Sequence, residues 1–184
     1  MSAENFISKW EANPMLKPRI EKVVINVCVG RSGEPLDKAM KIIEELTGQK
    51  PCFRRAKKTI RDFGIRRNEP ISCVTTLREE RALEFLKRAL EAVDNKIPAS
   101  SFDKSGNFSF GIKEHIDMPG TKYSPDLGII GMDVSVSLRR PGFRVKYRRR
   151  ARSRVGHKHL LTPEEAMAFV REELGVEVTE EKRR

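Results

Sequence analysis

Residues 20–30 read IEKVVINVCVG, and their alternation decides the fold. Val23, Ile25, Val27 and Val29 occupy every second place, with Val24, Asn26 and Cys28 between them. Successive side chains of a strand point to opposite faces, so a period of two marks a strand with one face committed to a core. Asn26 then points away from that core. The next residues, GRSGEP, form a turn, after which Leu36, Met40, Ile43 and Leu46 recur at helical spacing until Gly48, a suitable C-terminal cap.

The rest of the chain repeats these two periodicities. ISCVTT predicts a strand leading into a helix over TLREERALEFLKRALEAV, with Leu83, Leu86, Leu90 and Val93 as its buried stripe and Thr76 with Glu79 as a capping box. Phe108, Phe110 and Ile112, and later Met132, Val134, Val136 and Leu138, alternate with polar residues as two half-buried strands. Pro141 and Gly142 stand in the order of a type II turn, which predicts FRVKY as a hairpin partner. Thr162, Pro163 and Glu165 fit the N-cap, N1 and N3 positions of a helix that carries Ala166, Phe169, Val170 and Leu174 and ends at Gly175. Strands with one polar face predict an α+β fold, a largely antiparallel sheet with helices packed on one face and the other face free. The expected organisation is a single domain, 1–184, comprising an N-terminal lead-in (1–18), a basic loop (53–67), a basic hairpin and extension (139–158) and a C-terminal helix (162–175).

A chain of 184 residues has the size of one domain. With 34% charged residues and no apolar run near the roughly 20 residues a membrane span needs, no membrane association is expected. MSAENFISKWEANPM has neither the basic nor the apolar region of a secretory signal, which predicts a cytoplasmic protein. Cys28, Cys52 and Cys73 show no CxxC spacing, so idle or buried thiols are expected rather than disulfides or zinc. The net charge of +11 is unevenly placed. Residues 139–158 hold ten Lys and Arg and no acid, and residues 50–67 hold eight against Asp62, so these two stretches carry +10 and +7 and the remainder is net −6. Basicity gathered in two segments is the electrostatic footprint of a polyanion-binding protein.

Other chemistry finds little support. VGRSGEP lacks the Lys and hydroxyl residue of a Walker loop and the third glycine of a dinucleotide fingerprint, which favours a tight turn over a phosphate cradle. His115 is placed on the outer face of a strand, and His157 and His159 lie beside the arginine run without acids or cysteines, so RNA contact or solvation is favoured over metal. No arrangement of nucleophile, base and acid indicates an enzyme, and no cofactor is expected. In FRRAKKTIRDFGIRR the cations follow no helical or strand period and Gly64 interrupts them, which predicts an extended loop. Its arginines offer planar forks to phosphate, and Phe53 or Phe63 a ring for base stacking; the bland alternative is a solvated basic loop. KYRRRARSRVGHK reads the same way and has too little apolar area for a membrane surface.

RIEKVVINVCVG, LTGQKP, RRAKKTIRDFGIRRNEPI, SGNFSFGIKEHID and MDVSVSLRRPGFRVKYRRR together resemble the L-five family of large-subunit ribosomal proteins, in its archaeal and eukaryotic form, over nearly the whole chain. The resemblance implies an antiparallel sheet backed by helices and a structural, ribosome-bound role without catalysis. It implies binding to 5S rRNA and its attachment to the large subunit at the central protuberance, alongside other 5S-binding ribosomal proteins. Contacts to large-subunit rRNA, to P-site tRNA and to a small-subunit head protein of the S-thirteen family are also implied. Matched position by position, the 5S rRNA ligands are Asn26, Gln49 and Thr76. The P-site tRNA loop corresponds to Arg54, Arg55, Lys57, Lys58, Thr59, Arg61, Arg66 and Arg67. The basic extension, absent from bacterial members, would offer rRNA Arg139, Arg140, Arg144, Lys146, Arg148, Arg149, Arg150, Arg152, Arg154 and Lys158.

Overall fold

A computed structural model of the protein describes residues 3–121 and 124–179. In chain order its elements are α1 (Ala3–Ala12), β1 (Arg19–Cys28), α2 (Glu34–Thr47), β2 (Cys52–Arg55), β3 (Pro70–Leu77), α3 (Glu79–Glu91), β4 (Lys96–Pro98), β5 (Phe108–Ile112), β6 (Met132–Arg139), α4 (Arg144–Tyr147), α5 (Pro163–Leu174) and β7 (Glu177–Thr179). Five strands form an antiparallel sheet in the order β2-β3-β1-β6-β5, and β4 pairs in parallel with β7. The α+β expectation holds. The described residues fall into two compact units, one comprising Val23–Asp94 and Phe110–Ser135, the other Asn95–Ser109 with the residues up to Lys22 and from Val136 onward.

In the first unit the alternation of β1 is realised: Val23, Ile25 and Val27 are buried, while Val24 and Asn26 are half-buried. Helix α2 covers the buried side, packing on β3 and α3 through Leu36, Ala39, Ile42, Ile43 and Leu46. It ends where Gly48 adopts φ 63°, a left-handed conformation that glycine enters without steric cost, and the Gly48 N–H donates to the Glu44 carbonyl. The inward stripe of α3 differs from the expected leucines. Ala82, Phe85, Leu86, Ala89 and Leu90 face the core, Leu83 is 41% exposed, and Val93 lies beyond the helix. Alanines and a phenylalanine complete the true 3.6-residue stripe, which counting leucines alone displaces by one position. The capping box at Thr76 does not form either. Arg78 is the N-cap, without a side-chain cap, because Thr76 is held within β3 opposite Val24.

His115 is likewise not on an outer strand face. It is buried in a short 3-10 turn, Nδ1 accepting from the Ile130 N–H at 3.4 Å. Cys73 is fully buried opposite Val27, and burial pushes its thiol up to about 11, with Cys28 adding a smaller effect in the same direction. Cys28 and Cys52 are exposed.

The second unit is assembled around a buried carboxylate. Thr162 caps α5 by accepting from the Glu165 N–H at 3.4 Å, as the sequence suggests. The Glu165 side chain does not return to the cap. It turns inward, accepting from Trp10 Nε1 of α1 at 3.2 Å and pairing with the Arg140 guanidinium. Arg140 also donates to the Lys158 carbonyl at 3.3 Å. Trp10 meets Phe169 edge to face at 6.4 Å, so α1 is fixed on α5 by both apolar and polar contacts. Close packing is explicit at Gly106, where a Cβ would lie 3.0 Å from that of Leu161 and 3.2 Å from that of Ala166. The expected hairpin after β6 is absent. Pro141–Phe143 make a turn and Arg144–Tyr147 one helical turn, because β6 is already flanked by β1 and β5 and has no free edge to pair.

Removing one member of a buried ion pair leaves the other uncompensated, at a cost of about 3–5 kcal/mol. Arg140→Met and Glu165→Met should each lower the denaturation free energy by about that amount, and the double variant should recover more than half of the loss; urea titration showing single-variant losses under about 1 kcal/mol would refute this. A thiolate, not a thiol, is the nucleophile. In native buffer at pH 8, iodoacetamide should therefore modify Cys28 and Cys52 and spare Cys73 until unfolding, which mass spectrometry would register; comparable labelling of all three would contradict the burial.

Candidate nucleic-acid interface

Residues directly opposite in an antiparallel pair share a face, so the register defines the side of the sheet turned away from α2 and α3. One row joins Val24 to Thr76, the next joins Asn26, Val74 and Cys52, and the third joins Cys28, Ser72 and Arg54. Asn26 and Thr76 are diagonal neighbours on this face, a relation that sets residues roughly 7–8 Å apart and their Cβ atoms somewhat closer. Val24, Asn26, Val74 and Thr76 are all half-exposed. Gln49 is exposed after the Gly48 cap, its N–H donating to Thr47 Oγ1 at 3.3 Å. It stands three residues before Cys52, the β2 member of Asn26's row. Phe53 is paired with Cys73 and so belongs to the opposite face.

The basic loop is more structured than an extended segment. Arg54 and Arg55 lie in edge strand β2, with a register shift between them. Beyond them, Ala56 N–H donates to the Glu69 carbonyl at 2.8 Å, and Asn68 N–H to the Ala56 carbonyl at 2.9 Å. Ile60 and Ile65 exchange hydrogen bonds of 2.9 and 3.1 Å, and Gly64 at φ 66° lets the chain reverse between them. Thr59 Oγ1 accepts from the Arg67 N–H at 3.0 Å. Glu69 ties the base of the loop, accepting from the Arg66 N–H and from Ser32 Oγ, each at 2.8 Å. Those two hydrogen bonds, the Arg66 N–H foremost, hold its carboxyl below the ordinary glutamate range. The cations Arg54, Arg55, Lys57, Lys58, Arg61, Arg66 and Arg67 are all exposed around a tip that presents Ile60 and Phe63, the latter 73% exposed. An acid-tied hairpin thus displays seven positive charges beside a bare aromatic ring.

The extension divides into one buried cation and a set of exposed ones. Arg140 is a correction: it is 9% exposed and its guanidinium is bonded to Glu165 and the Lys158 carbonyl, so it serves the fold and offers no phosphate fork. Sequence could not separate it from its neighbours, because its partner lies 25 residues away in a helix that reads as solvated. Arg139 approaches Glu21 at 4.0 Å and stays half-exposed. Arg144, Lys146, Arg148, Arg149, Arg150, Arg152, Arg154 and Lys158 are exposed. Their loop is closed at its foot by Arg140 on Lys158 and by the His159 ring nitrogen on the Pro141 carbonyl at 2.8 Å. It is braced internally by Ser153 N–H on the Val145 carbonyl at 3.2 Å and Arg148 Nε on the Ala151 carbonyl at 2.8 Å. His159 therefore belongs to a clasp, a role that GHKH alone does not disclose.

At VGRSGEP, Gly33 takes φ 93° as the N-cap of α2, and Glu34 in the first turn pairs with Lys38 at 2.8 Å. A carboxylate at that helix end disfavours an anion there and fits the tight-turn reading. Among the described residues no group of His, Cys, Asp and Glu is placed to hold a metal ion, and no helix is long and apolar enough to cross a membrane.

Residues 13–66 match the family described as ribosomal protein L5, and residues 70–169 match the family that describes the C-terminus of the same ribosomal proteins. The large ribosomal subunit protein uL5 of Pyrobaculum aerophilum is 55% identical over 91% of this chain and 94% of its own length. The Aeropyrum pernix protein of the same name is 52% identical over 92% of this chain and 89% of its own, and that of Sulfurisphaera tokodaii 50% over 91% and 96%. Matched through both halves and at such identity over nearly its full length, the chain belongs to the ribosomal protein L5 family.

Proposed function

We propose that this ribosome-bound, cytoplasmic, non-enzymatic protein of the large subunit binds 5S rRNA through the open face of its sheet and anchors it to the central protuberance. The observation that carries this reading is the register of β1 on β3, which gathers Asn26 and Thr76 on one half-exposed face, with Gln49 three residues before Cys52 of Asn26's row. Amide and hydroxyl groups there can bond sugar and phosphate of a folded RNA without disturbing the core on the other side. The exposed cations of the two basic segments supply sequence-independent, salt-dependent attraction to the phosphates of their own RNA partners.

The segments divide the work. The Arg54–Arg67 hairpin, exposed on an edge strand, reaches toward P-site tRNA. The extension holds large-subunit rRNA through Arg139, Arg144, Lys146, Arg148, Arg149, Arg150, Arg152, Arg154 and Lys158. A small-subunit head protein of the S-thirteen family and other 5S-binding ribosomal proteins complete the partners.

Asn26→Ala should weaken binding of isolated 5S rRNA by about 1–3 kcal/mol, the cost of leaving a polar partner unpaired. Replacing Lys57, Lys58 and Arg61 together by Ala should leave that affinity nearly intact while weakening P-site tRNA in assembled subunits. Filter binding with 5S rRNA and with an unrelated RNA of equal length measures the first effect, and tRNA binding to assembled subunits the second. A loop variant that loses 5S rRNA while Asn26→Ala retains it would reverse the assignment, and equal affinity for the two RNAs would indicate a general RNA chaperone.

A further inference from the structure

Between α4 and the turn at His157–His159 the extension encloses an open groove of about 480 Å³. Its apolar lining is Phe143, Val155 and Leu160; its cationic lining is Lys146, Arg152 and Arg154. The size falls within the roughly 300–1,000 Å³ typical of small-ligand sites, wide enough for a nucleoside. Contacts within the extension hold the groove in shape. The Phe143 ring is backed by His159 at 5.8 Å, and His159 is itself fixed on the Pro141 carbonyl. The Ser153 N–H bond to Val145 joins its two sides.

A solvated charged loop needs no such feature. Leu160 is 39% exposed and Phe143 half-exposed, although the surrounding residues 139–158 contain ten cations and no acid. An aromatic and aliphatic wall with a rim of one charge sign is complementary to a flat apolar ring carrying anions on both sides. Within a paired stem the base is stacked and unavailable; in a loop or bulge it can turn out and stack on a protein ring. We propose that this groove receives one unstacked base of an RNA strand, its ring against Phe143, Val155 and Leu160 and its flanking phosphates on Lys146, Arg152 and Arg154. The inference rests on the reading of the extension as an RNA-binding segment and specifies the RNA feature it takes.

The test uses the full chain and two synthetic RNA hairpins with the same stem, one fully paired and one with a single bulged 2-aminopurine. The bulged hairpin should bind at least about fivefold more tightly, the lower end of what base–aromatic stacking contributes, with a change in 2-aminopurine fluorescence on binding. That preference should fall below about twofold in Phe143→Leu and in Leu160→Ser, the second altering an exposed side chain that the core does not use. It should survive Lys41→Ala, which removes an exposed cation of α2 outside both basic segments. Equal binding of the two hairpins, or an unchanged preference in both groove variants, overturns the proposal. So does displacement of the bulged hairpin by polyglutamate of matched charge as readily as by unlabelled hairpin, which would assign the groove to an acidic peptide. Retained 5S rRNA binding alongside any of these results would sink the groove and leave the sheet-face reading standing.

Discussion

The pairing register of β1 on β3 is the constraint on which the rest depends. With Val23 opposite Leu77, Ile25 opposite Thr75 and Val27 opposite Cys73, the apolar set faces α2 and α3, and Asn26 and Thr76 face outward. A slip of one residue would turn every side chain of β1 over. The register is enforced even at a cost: Thr75 lies on the buried side and its hydroxyl has no hydrogen-bond partner among the described residues, a loss of about 1–3 kcal/mol that burial of the valines and isoleucine must exceed. Core formation therefore also creates the polar surface. The open face needs no device of its own, since it is the complement of the packed one.

Charge is managed differently in the two basic segments. In the loop a single acid, Glu69, organises the backbone and leaves the guanidinium and ammonium groups exposed to solvent. In the extension one arginine is withdrawn from the run to meet the buried Glu165, and that pair fixes the foot of the loop. Both arrangements keep the remaining cations exposed while restricting the chain that carries them. A segment restricted before binding loses less conformational entropy when it meets its partner.

Strand β1, helix α2 with its glycine cap and the Thr162-Pro163 start of α5 were legible in the sequence, because each is set by near neighbours in the chain. The polar face holding Asn26 followed from the same alternation. What could not be read depends on residues distant in sequence. The β6 hairpin fails because both edges of β6 are taken by β1 and β5. Thr76 loses its capping role because strand pairing with Val24 claims it. Arg140 is indistinguishable from the nine other cations of its segment until Glu165 and Trp10 are brought beside it. Gln49 was placed by family resemblance, and nothing in its local pattern beyond the preceding cap would single it out.

The central claim, that the open sheet face is where 5S rRNA sits, can be read from native side chains. Cys28 and Cys52 lie on that face in adjacent rows and are exposed, so no mutation is needed to report on it. Alkylation rates of these two thiols, followed by mass spectrometry with and without saturating 5S rRNA, give the most direct measurement. The account predicts that both become strongly protected by 5S rRNA and remain unprotected with an unrelated RNA of the same length; undiminished labelling of both in the 5S rRNA complex would contradict it.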